Sequence, residues 1–178
     1  MIDREQYTPG PASGAQVRKD GEKWTLILVR ELRHSPEKVW LALTDPAHLC
    51  EWAPFEVDGN LGAVGATVKL TWVSTSASQE TTVTRADAPR LLEYGNLRWM
   101  LEPLGSATRL TLWHNIDPRF ITWGAAGWHI AFDVLERLLA SEPIGRIAGS
   151  EAMKFGWQRL VTEYAEQFGV ETPNAPNR

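Results

Sequence analysis

The sequence predicts an α+β fold, with a curved antiparallel sheet of about seven strands around a long C-terminal helix. Three observations lead to this prediction. A strand pattern begins at Lys23, six short alternating runs lie between Pro54 and Ile116, and apolar residues take helical spacing from Trp128 onward. The gaps between the alternating runs have hairpin length, so consecutive strands should pair antiparallel.

The first strand leads into two short helices. The strand pattern KWTLILVRELR has apolar residues at both parities, as in a strand that is covered on much of both faces. After it, Ser35 precedes Pro36 and Asp45 precedes Pro46. Serine and aspartate side chains cap free backbone amides, and proline fits the first helical turn because it lacks an amide hydrogen. The two helices should therefore meet at a bend.

The six runs that follow read as strands of one meander. They are FEVDG, ATVKLTWV, QETTVTRAD, RLLEYG, LRWMLEPL and TRLTLWHNI. Glycine, asparagine, serine and proline stand in the gaps, where tight turns need residues that favour turn geometry.

Helical spacing returns in the C-terminal third. One apolar stripe spans roughly 120° of a helix at 100° per residue, and it comprises Trp128, Ala131, Phe132, Leu135, Leu138 and Leu139. A second stripe spans roughly 100°, and it comprises Met153, Trp157, Leu160, Val161, Tyr164 and Phe168. The sequence predicts a break between them near Pro143.

Length and composition fit one domain with short tails. The chain has 178 residues, of which 43% are hydrophobic, and domains typically run about 100–200 residues. We expect a flexible N-terminal tail over 1–22, a single domain over 23–168 and a C-terminal tail over 169–178. The stretches TPGPASGA and ETPNAPNR carry this expectation, since their residues seldom pack.

Charge and composition disfavour several classes of function. The formal net charge is −4 and no basic stripe stands out, so we expect no nucleic-acid partner. The only cysteine, Cys50, cannot form an intramolecular disulfide or a thiolate zinc cluster. No apolar run reaches the ~18 residues of a membrane span, and the first residues lack a signal-peptide pattern. We therefore expect a cytoplasmic protein.

Five segments, taken in order, resemble a known superfamily. They are SPEKVWLALTDPAHLCEW, VGATVKL, RLLEYG, ATRLTLWHN and GWHIAFDVLERLL. They are similar to stand-alone bacterial members of the SRPBCC (START-like) superfamily that are grouped with the C-terminal domain of the activator of the heat-shock-protein-90 ATPase. The resemblance covers roughly residues 23–168. It implies a helix-grip fold with a cavity between the sheet and the long helix.

The resemblance also implies a range of functions. Members of the superfamily hold lipids, sterols, polyketides or plant hormones in the cavity, and some catalyse cyclisation or hydrolysis. The nine tryptophans of this chain suit an aromatic-lined cavity, although they also suit an interface or a tryptophan-rich core. We predict that a small apolar or aromatic molecule binds without a cofactor. The predicted lining is Trp72, Trp99, His114, Trp123, Trp128 and Phe132.

His114 is the best candidate for a catalytic group. It shares strand parity with Leu110 and Leu112, so it enters the cavity if those leucines face the helix. Imidazole near an apolar wall titrates close to neutral pH and can act as a general acid or base. Other strand-borne charges could point inward, although we favour a solvated outer face for them; they are Glu93, Arg98 and Glu102.

Candidate metal ligands in the sequence are His114, Asp117 and His129. Imidazole and carboxylate are suitable ligand types, but metal motifs usually place two ligands on one rigid element, and these residues come singly. His129 lies on the flank of the helix, one turn before Asp133. We therefore expect no metal.

Two other functions remain open from the sequence. The first is a protein that docks on a chaperone or another partner, through its sheet or its second C-terminal helix. Phe155 lies about 170° from the apolar stripe of that helix and would mark a second contact surface, and self-association also remains open. The other is a cofactor-free cyclase or hydrolase, for which no nucleophile and base can be placed from spacing.

Overall fold

One antiparallel sheet of eight strands frames the protein in a computed structural model, which describes residues 4–171. The strands are β1 (Ala15–Asp20), β2 (Lys23–Leu32), β3 (Phe55–Val57), β4 (Thr67–Trp72), β5 (Ser78–Asp87), β6 (Leu91–Tyr94), β7 (Leu97–Leu104) and β8 (Ala107–Ile116). Their order is β1-β2-β8-β7-β6-β5-β4-β3, so β2 closes onto the last strand of the meander. The predicted sheet is confirmed, with eight strands where about seven were expected.

Within residues 4–171, four α-helices accompany the sheet. They are α1 (Pro36–Thr44), α2 (Pro46–Trp52), α3 (Ile121–Leu139) and α4 (Trp157–Phe168). The predicted caps are present, since Ser35 Oγ accepts from the Lys38 amide at 3.3 Å and Asp45 Oδ1 accepts from the Ala47 amide at 3.0 Å. Among the helices of residues 4–171, none combines the length and apolar character needed to cross a membrane.

The break between the two C-terminal helices lies where the sequence predicts it. Helix α3 ends at Leu139, and residues 140–156 separate it from α4, with a 3₁₀ helix over Gly149–Phe155. Met153 departs from its prediction, because it lies in that 3₁₀ helix and is 52% exposed. The apolar side of α4 packs on α3 instead from Trp157 onward, and the Trp157 ring centroid lies 6.0 Å from that of Trp123.

The N-terminal segment differs from the flexible tail that the sequence predicts over 1–22. Strand β1 pairs antiparallel with β2 along its whole length, and Tyr7 is only 4% exposed. The segment is held by distant residues, since the Ala12 amide donates to Glu163 and Gln167 donates to the Ala12 carbonyl. Residues 1–3 and 172–178 of the two predicted tails lie outside the described residues.

Glycine sets how closely α3 approaches the sheet at one point. A Cβ added at Gly124 would lie 2.8 Å from Ile116 Cδ1, so a larger residue where α3 crosses β8 would require the Ile116 side chain to move. A Cβ added at Gly127 would meet nothing within 4 Å. Helix α3 therefore approaches the sheet closely at Gly124 and not at Gly127.

Candidate functional site

An aromatic cluster fills the space between the sheet and α3. Helix α3 supplies Trp128 and Phe132, strand β7 supplies Trp99, and none of the three is more than 2% exposed. The ring centroid of Trp99 lies 5.5 Å from that of Trp128, edge to face, and 6.2 Å from that of Phe132. These separations are in the range that aromatic pairs prefer.

His114 enters this cluster from β8. Leu110, Leu112 and His114 are all buried, as expected for alternate residues on the inner face of the strand. The Nε1–H of Trp128 donates to Nδ1 of His114 at 3.0 Å. The Trp72 ring lies nearly parallel to the imidazole, with 5.9 Å between the ring centroids.

Burial makes His114 a weak base. Desolvation lowers the pKa of the imidazole from 6.5 to about 4, because the charged form loses its hydration among apolar rings. The expectation that His114 titrates near neutral pH is therefore wrong. The ring is neutral at pH 7, and its nearest ring neighbours are the two tryptophans.

Three further aromatic residues belong to the cluster, namely Trp52, Phe55 and Tyr94. They are not among the residues predicted from the sequence. The Nε1–H of Trp99 donates to the Tyr94 hydroxyl at 3.1 Å, and the Trp52 Nε1–H donates to the Ala42 carbonyl at 2.9 Å. Strand parity offered a signal for Tyr94, which alternates with the buried Leu92. Trp52 lies on α2, whose orientation depends on the bend between the two short helices.

Trp123 lies apart from the other predicted lining residues. It packs 5.4 Å from Phe120 and 6.0 Å from Trp157, between ring centroids, at the start of α3. Ring contacts join the other predicted residues to one another, and these are Trp72, Trp99, His114, Trp128 and Phe132.

Two open depressions on the described surface lie away from this cluster. One, of about 330 Å³, is lined by Ser35, Pro36, Glu37, Pro89, Arg90, Leu101, Pro103 and Gly105. The other, of about 520 Å³, is lined by Glu31, Arg33, His34, Glu136, Arg137 and Ala140. Neither contains a residue of the aromatic cluster. Because the Trp99, Trp128 and Phe132 rings are almost fully buried, a molecule that enters between these three rings must move them apart.

The strand-borne charges do not join the cluster. Arg98 Nε lies 3.1 Å from Glu93 Oε1, and the Arg98 guanidinium lies over the ring of Trp113, whose parity on β8 is opposite to that of His114. Glu102 is paired in register with Arg109 of β8. The preference for a solvated face is thus met by Arg98, which is exposed.

The three candidate metal ligands, His114, Asp117 and His129, contact different parts of the protein. Asp117 accepts hydrogen bonds from Arg119 at the turn before α3, whereas His114 contacts Trp128. His129 is 4% exposed and its Nδ1 lies 2.6 Å from the Tyr164 hydroxyl, so the expectation of a flank residue is wrong: α4 covers it. Within residues 4–171, no three histidine, cysteine, aspartate or glutamate residues form a group suited to a metal ion.

A polar network ties the N-terminal segment and β2 to α3. The Tyr7 hydroxyl donates to Asp133 Oδ2 at 2.5 Å, and Arg30 Nη1 donates to Asp133 Oδ1 at 2.7 Å. Phe155, which the sequence suggested as a second contact surface, instead packs 5.8 Å from Tyr7 between ring centroids. The guanidinium of Arg4 lies over the same Phe155 ring, so the N-terminal segment covers it.

Comparison with known proteins identifies a family match and several similar structures. The family model of Activator of Hsp90 ATPase homolog 1-like proteins matches residues 33–140. No curated protein matches the chain. The segments outside the matched range include β1, all of β2, and the residues from 141 onward, which include α4.

Three solved structures show how widely the fold is shared. A conserved protein of unknown function from Enterococcus faecalis has a TM-score of 0.63 at 17% identity, over 86% of this chain and 89% of its own. CalU16 from Micromonospora echinospora has a TM-score of 0.59 at 22% identity, over 92% of this chain and 97% of its own. A protein from Mesorhizobium loti has a TM-score of 0.58 at 24% identity, over 66% of this chain and 97% of its own. At these identities the likeness concerns the fold alone.

Proposed function

Because the chain belongs to the family of Activator of Hsp90 ATPase homolog 1-like proteins, within the SRPBCC superfamily, we propose that it binds a small apolar or aromatic molecule between the sheet and α3. The observation that carries the proposal is the buried aromatic cluster around the His114 imidazole. Ligand sites commonly combine apolar and aromatic walls with a few placed polar groups. The proposed contacts are Trp72, Trp99, His114, Trp128 and Phe132.

One ring nitrogen of His114 is free to meet a ligand. Among residues 4–171, the bond from Trp128 is the only hydrogen bond of the His114 ring, and it uses Nδ1. Nε2 is not among the fully enclosed unpartnered polar atoms of these residues, although the residue as a whole is just 6% exposed. A ligand that contacts His114 would therefore meet a polar atom that the protein leaves without a partner.

The edge of the sheet next to Trp72 is the proposed entry. Trp72 is half-buried, and the edge strand β3 beyond it has only three residues. Arg146 holds the chain after α3 against this edge, since it donates to Glu56 at 2.9 Å and to the Phe55 carbonyl at 3.3 Å. Outward movement of the chain around Arg146 would release β3, whose Phe55 ring packs 5.3 Å from that of Trp72, without unfolding α3.

Catalysis and partner binding have less support. His114 is neutral at pH 7, and its Nδ1 accepts from Trp128, so the lone pair that a general base needs is occupied. The partner hypothesis depended on Phe155, which Tyr7 and Arg4 cover. We therefore favour binding over both alternatives.

Co-purification tests the proposal. The protein is purified, denatured and extracted with organic solvent, and the extract is analysed by mass spectrometry. Trp128→Phe is compared with Trp113→Phe, which changes a tryptophan on the opposite face of β8. We expect an apolar compound with the wild type and Trp113→Phe, and much less of it with Trp128→Phe.

The same compound is then titrated into the native protein while tryptophan fluorescence is followed. A saturable change is expected for the wild type. If no compound is enriched over a blank purification, and a panel of small aromatic molecules leaves the fluorescence unchanged, the proposal is wrong.

A further inference from the structure

We propose that the molecule bound at this site carries a neutral hydrogen-bond acceptor, such as a carbonyl oxygen, that binds the Nε2–H of His114. The inference rests on the proposed function and narrows its ligand class to aromatic molecules that carry such an oxygen. It follows from the hydrogen bonds of the aromatic cluster, taken one at a time.

The bond from Trp128 determines which nitrogen of the His114 imidazole carries the hydrogen. An indole nitrogen can only donate, so the bond from Trp128 Nε1 requires an unprotonated Nδ1 on His114. A neutral imidazole carries one hydrogen, which must then lie on Nε2. Trp128 thus selects the tautomer that presents a donor at the other nitrogen.

Most nitrogen donors of the cluster already have partners, since the indole nitrogens of Trp52, Trp99 and Trp128 all donate to protein atoms. Among residues 4–171, His114 Nε2–H has no partner and is not fully enclosed, so a bound molecule can reach it. The Nε1–H of Trp72 also lacks a partner there, but Trp72 is half-buried. The Tyr94 hydroxyl accepts from Trp99 and is more deeply enclosed, with 1% exposure against 6% for His114.

The charge and shape of the rings around His114 favour a neutral aromatic molecule. The rings in contact with His114 are Trp72, nearly parallel to it, and Trp128, nearly perpendicular. These uncharged planar walls suit an aromatic molecule. A carboxylate would lose its hydration there without a cation to replace it, whereas a carbonyl oxygen needs only the one donor.

A matched pair of probes tests the inference, namely 1-indanone and indane, which share a bicyclic carbon skeleton and differ by one carbonyl oxygen. Each is titrated into the ¹⁵N-labelled full chain, and the tryptophan indole resonances and the His114 ring resonances are followed. We expect 1-indanone to bind about tenfold more tightly than indane, which corresponds to about 1.4 kcal/mol at 25 °C. In the wild type, the His114 Nε2–H resonance should shift with 1-indanone and not with indane.

Two histidine variants provide the comparison. His114→Leu should bind both probes with equal affinity. His129→Leu removes another buried histidine, which contacts Tyr164 outside the aromatic cluster, and should keep the preference for 1-indanone. Thermal unfolding shows whether each variant is folded, and the wild-type resonances decide the matter if His114→Leu is not.

The outcomes separate the inference from the proposed function. Equal binding of both probes to the wild type overturns the inference and leaves the proposed function standing. A preference for 1-indanone that survives in His114→Leu also overturns the inference. If that preference disappears in Tyr94→Phe, the donor is assigned to Tyr94 instead. If neither probe binds, the proposed function fails together with the inference.

Discussion

The indole nitrogen of Trp128 donates to Nδ1 of His114 across 3.0 Å, and this hydrogen bond joins α3 to strand β8. Protonation of Nδ1 would place two donors against each other, so the bond exists only while the imidazole is neutral. Burial favours the same neutral state. A contact in the centre of the molecule is therefore sensitive to acid.

Acid should destabilise the protein through His114. The pKa of this residue is about 4 in the folded protein, against 6.5 for an ordinary histidine. Between these values the unfolded chain binds more protons, so the contribution of His114 to stability is full above pH 6.5 and is lost as the pH falls toward 4. The loss amounts to about 3 kcal/mol. Urea unfolding between pH 7 and pH 4 measures it.

The variant His114→Gln isolates this contribution. Its free energy of unfolding should fall less steeply with acid than that of the wild type. Burial also lowers the pKa of His129, so part of the acid sensitivity should remain in His114→Gln. Identical pH slopes for wild type and His114→Gln would contradict the prediction.

The N-terminal segment should depend on Asp133. This carboxylate accepts from Tyr7 and Arg30, and the Asp133 and Arg30 side chains are only 15% and 20% exposed. Asp133→Ala leaves Tyr7 without its acceptor and leaves Glu136 as the remaining carboxylate partner of Arg30, so the free energy of unfolding should fall by about 2–4 kcal/mol. Limited proteolysis should cut residues 4–14 faster in the variant.

Asp87→Ala serves as the control for that change. Asp87 pairs with Arg85 at 2.9 Å, but both side chains are more than half exposed, so the loss should stay below about 1 kcal/mol. Equal losses from Asp133→Ala and Asp87→Ala would show that the buried network does not hold the N-terminal segment.

Substitution by alanine should change the free energy of unfolding differently at the two glycines of α3. At Gly127 the added methyl group meets open space, so Gly127→Ala should stabilise the helix by up to about 1 kcal/mol. At Gly124 the methyl group meets Ile116, so Gly124→Ala should be at least about 1 kcal/mol less stable than Gly127→Ala. Chemical denaturation of both variants compares them directly.

A double-variant cycle locates the cause of the Gly124 effect. Ile116→Val removes the Cδ1 atom that lies 2.8 Å from the added Cβ, so Gly124→Ala should cost less in that background. Equal costs in both backgrounds would rule out the contact with Ile116 as the reason.

Local sequence patterns are enough to predict most of the framework. The capping residues Ser35 and Asp45 predict the starts of α1 and α2, and alternation predicts the strands from β3 to β8. Strand β1 was not predicted, although its hairpin partner β2 begins only three residues after it, because the α4 contacts that help to hold it come from far along the chain. His129 was misplaced for the same reason, since Tyr164 follows it by 35 residues.

The candidate site was predictable only in part. Strand parity places His114 on the inner face, and helical spacing brings Trp128 and Phe132 toward it. The pKa of His114 depends on how completely rings from several elements enclose it, and no local pattern reports that. The filled interior is also a property of packing in three dimensions. Trp123 shares α3 with Trp128 and yet packs against α4.

The central claim, that a small molecule binds between the sheet and α3, is tested most directly by the indole N–H resonances of the ¹⁵N-labelled protein during a titration with 1-indanone. We predict saturable shifts for Trp99 and Trp128, inside the cluster, and no shift for Trp113, on the other face of β8. Shifts confined to Trp113 or other tryptophans outside the cluster, or no shifts at all, would contradict the account.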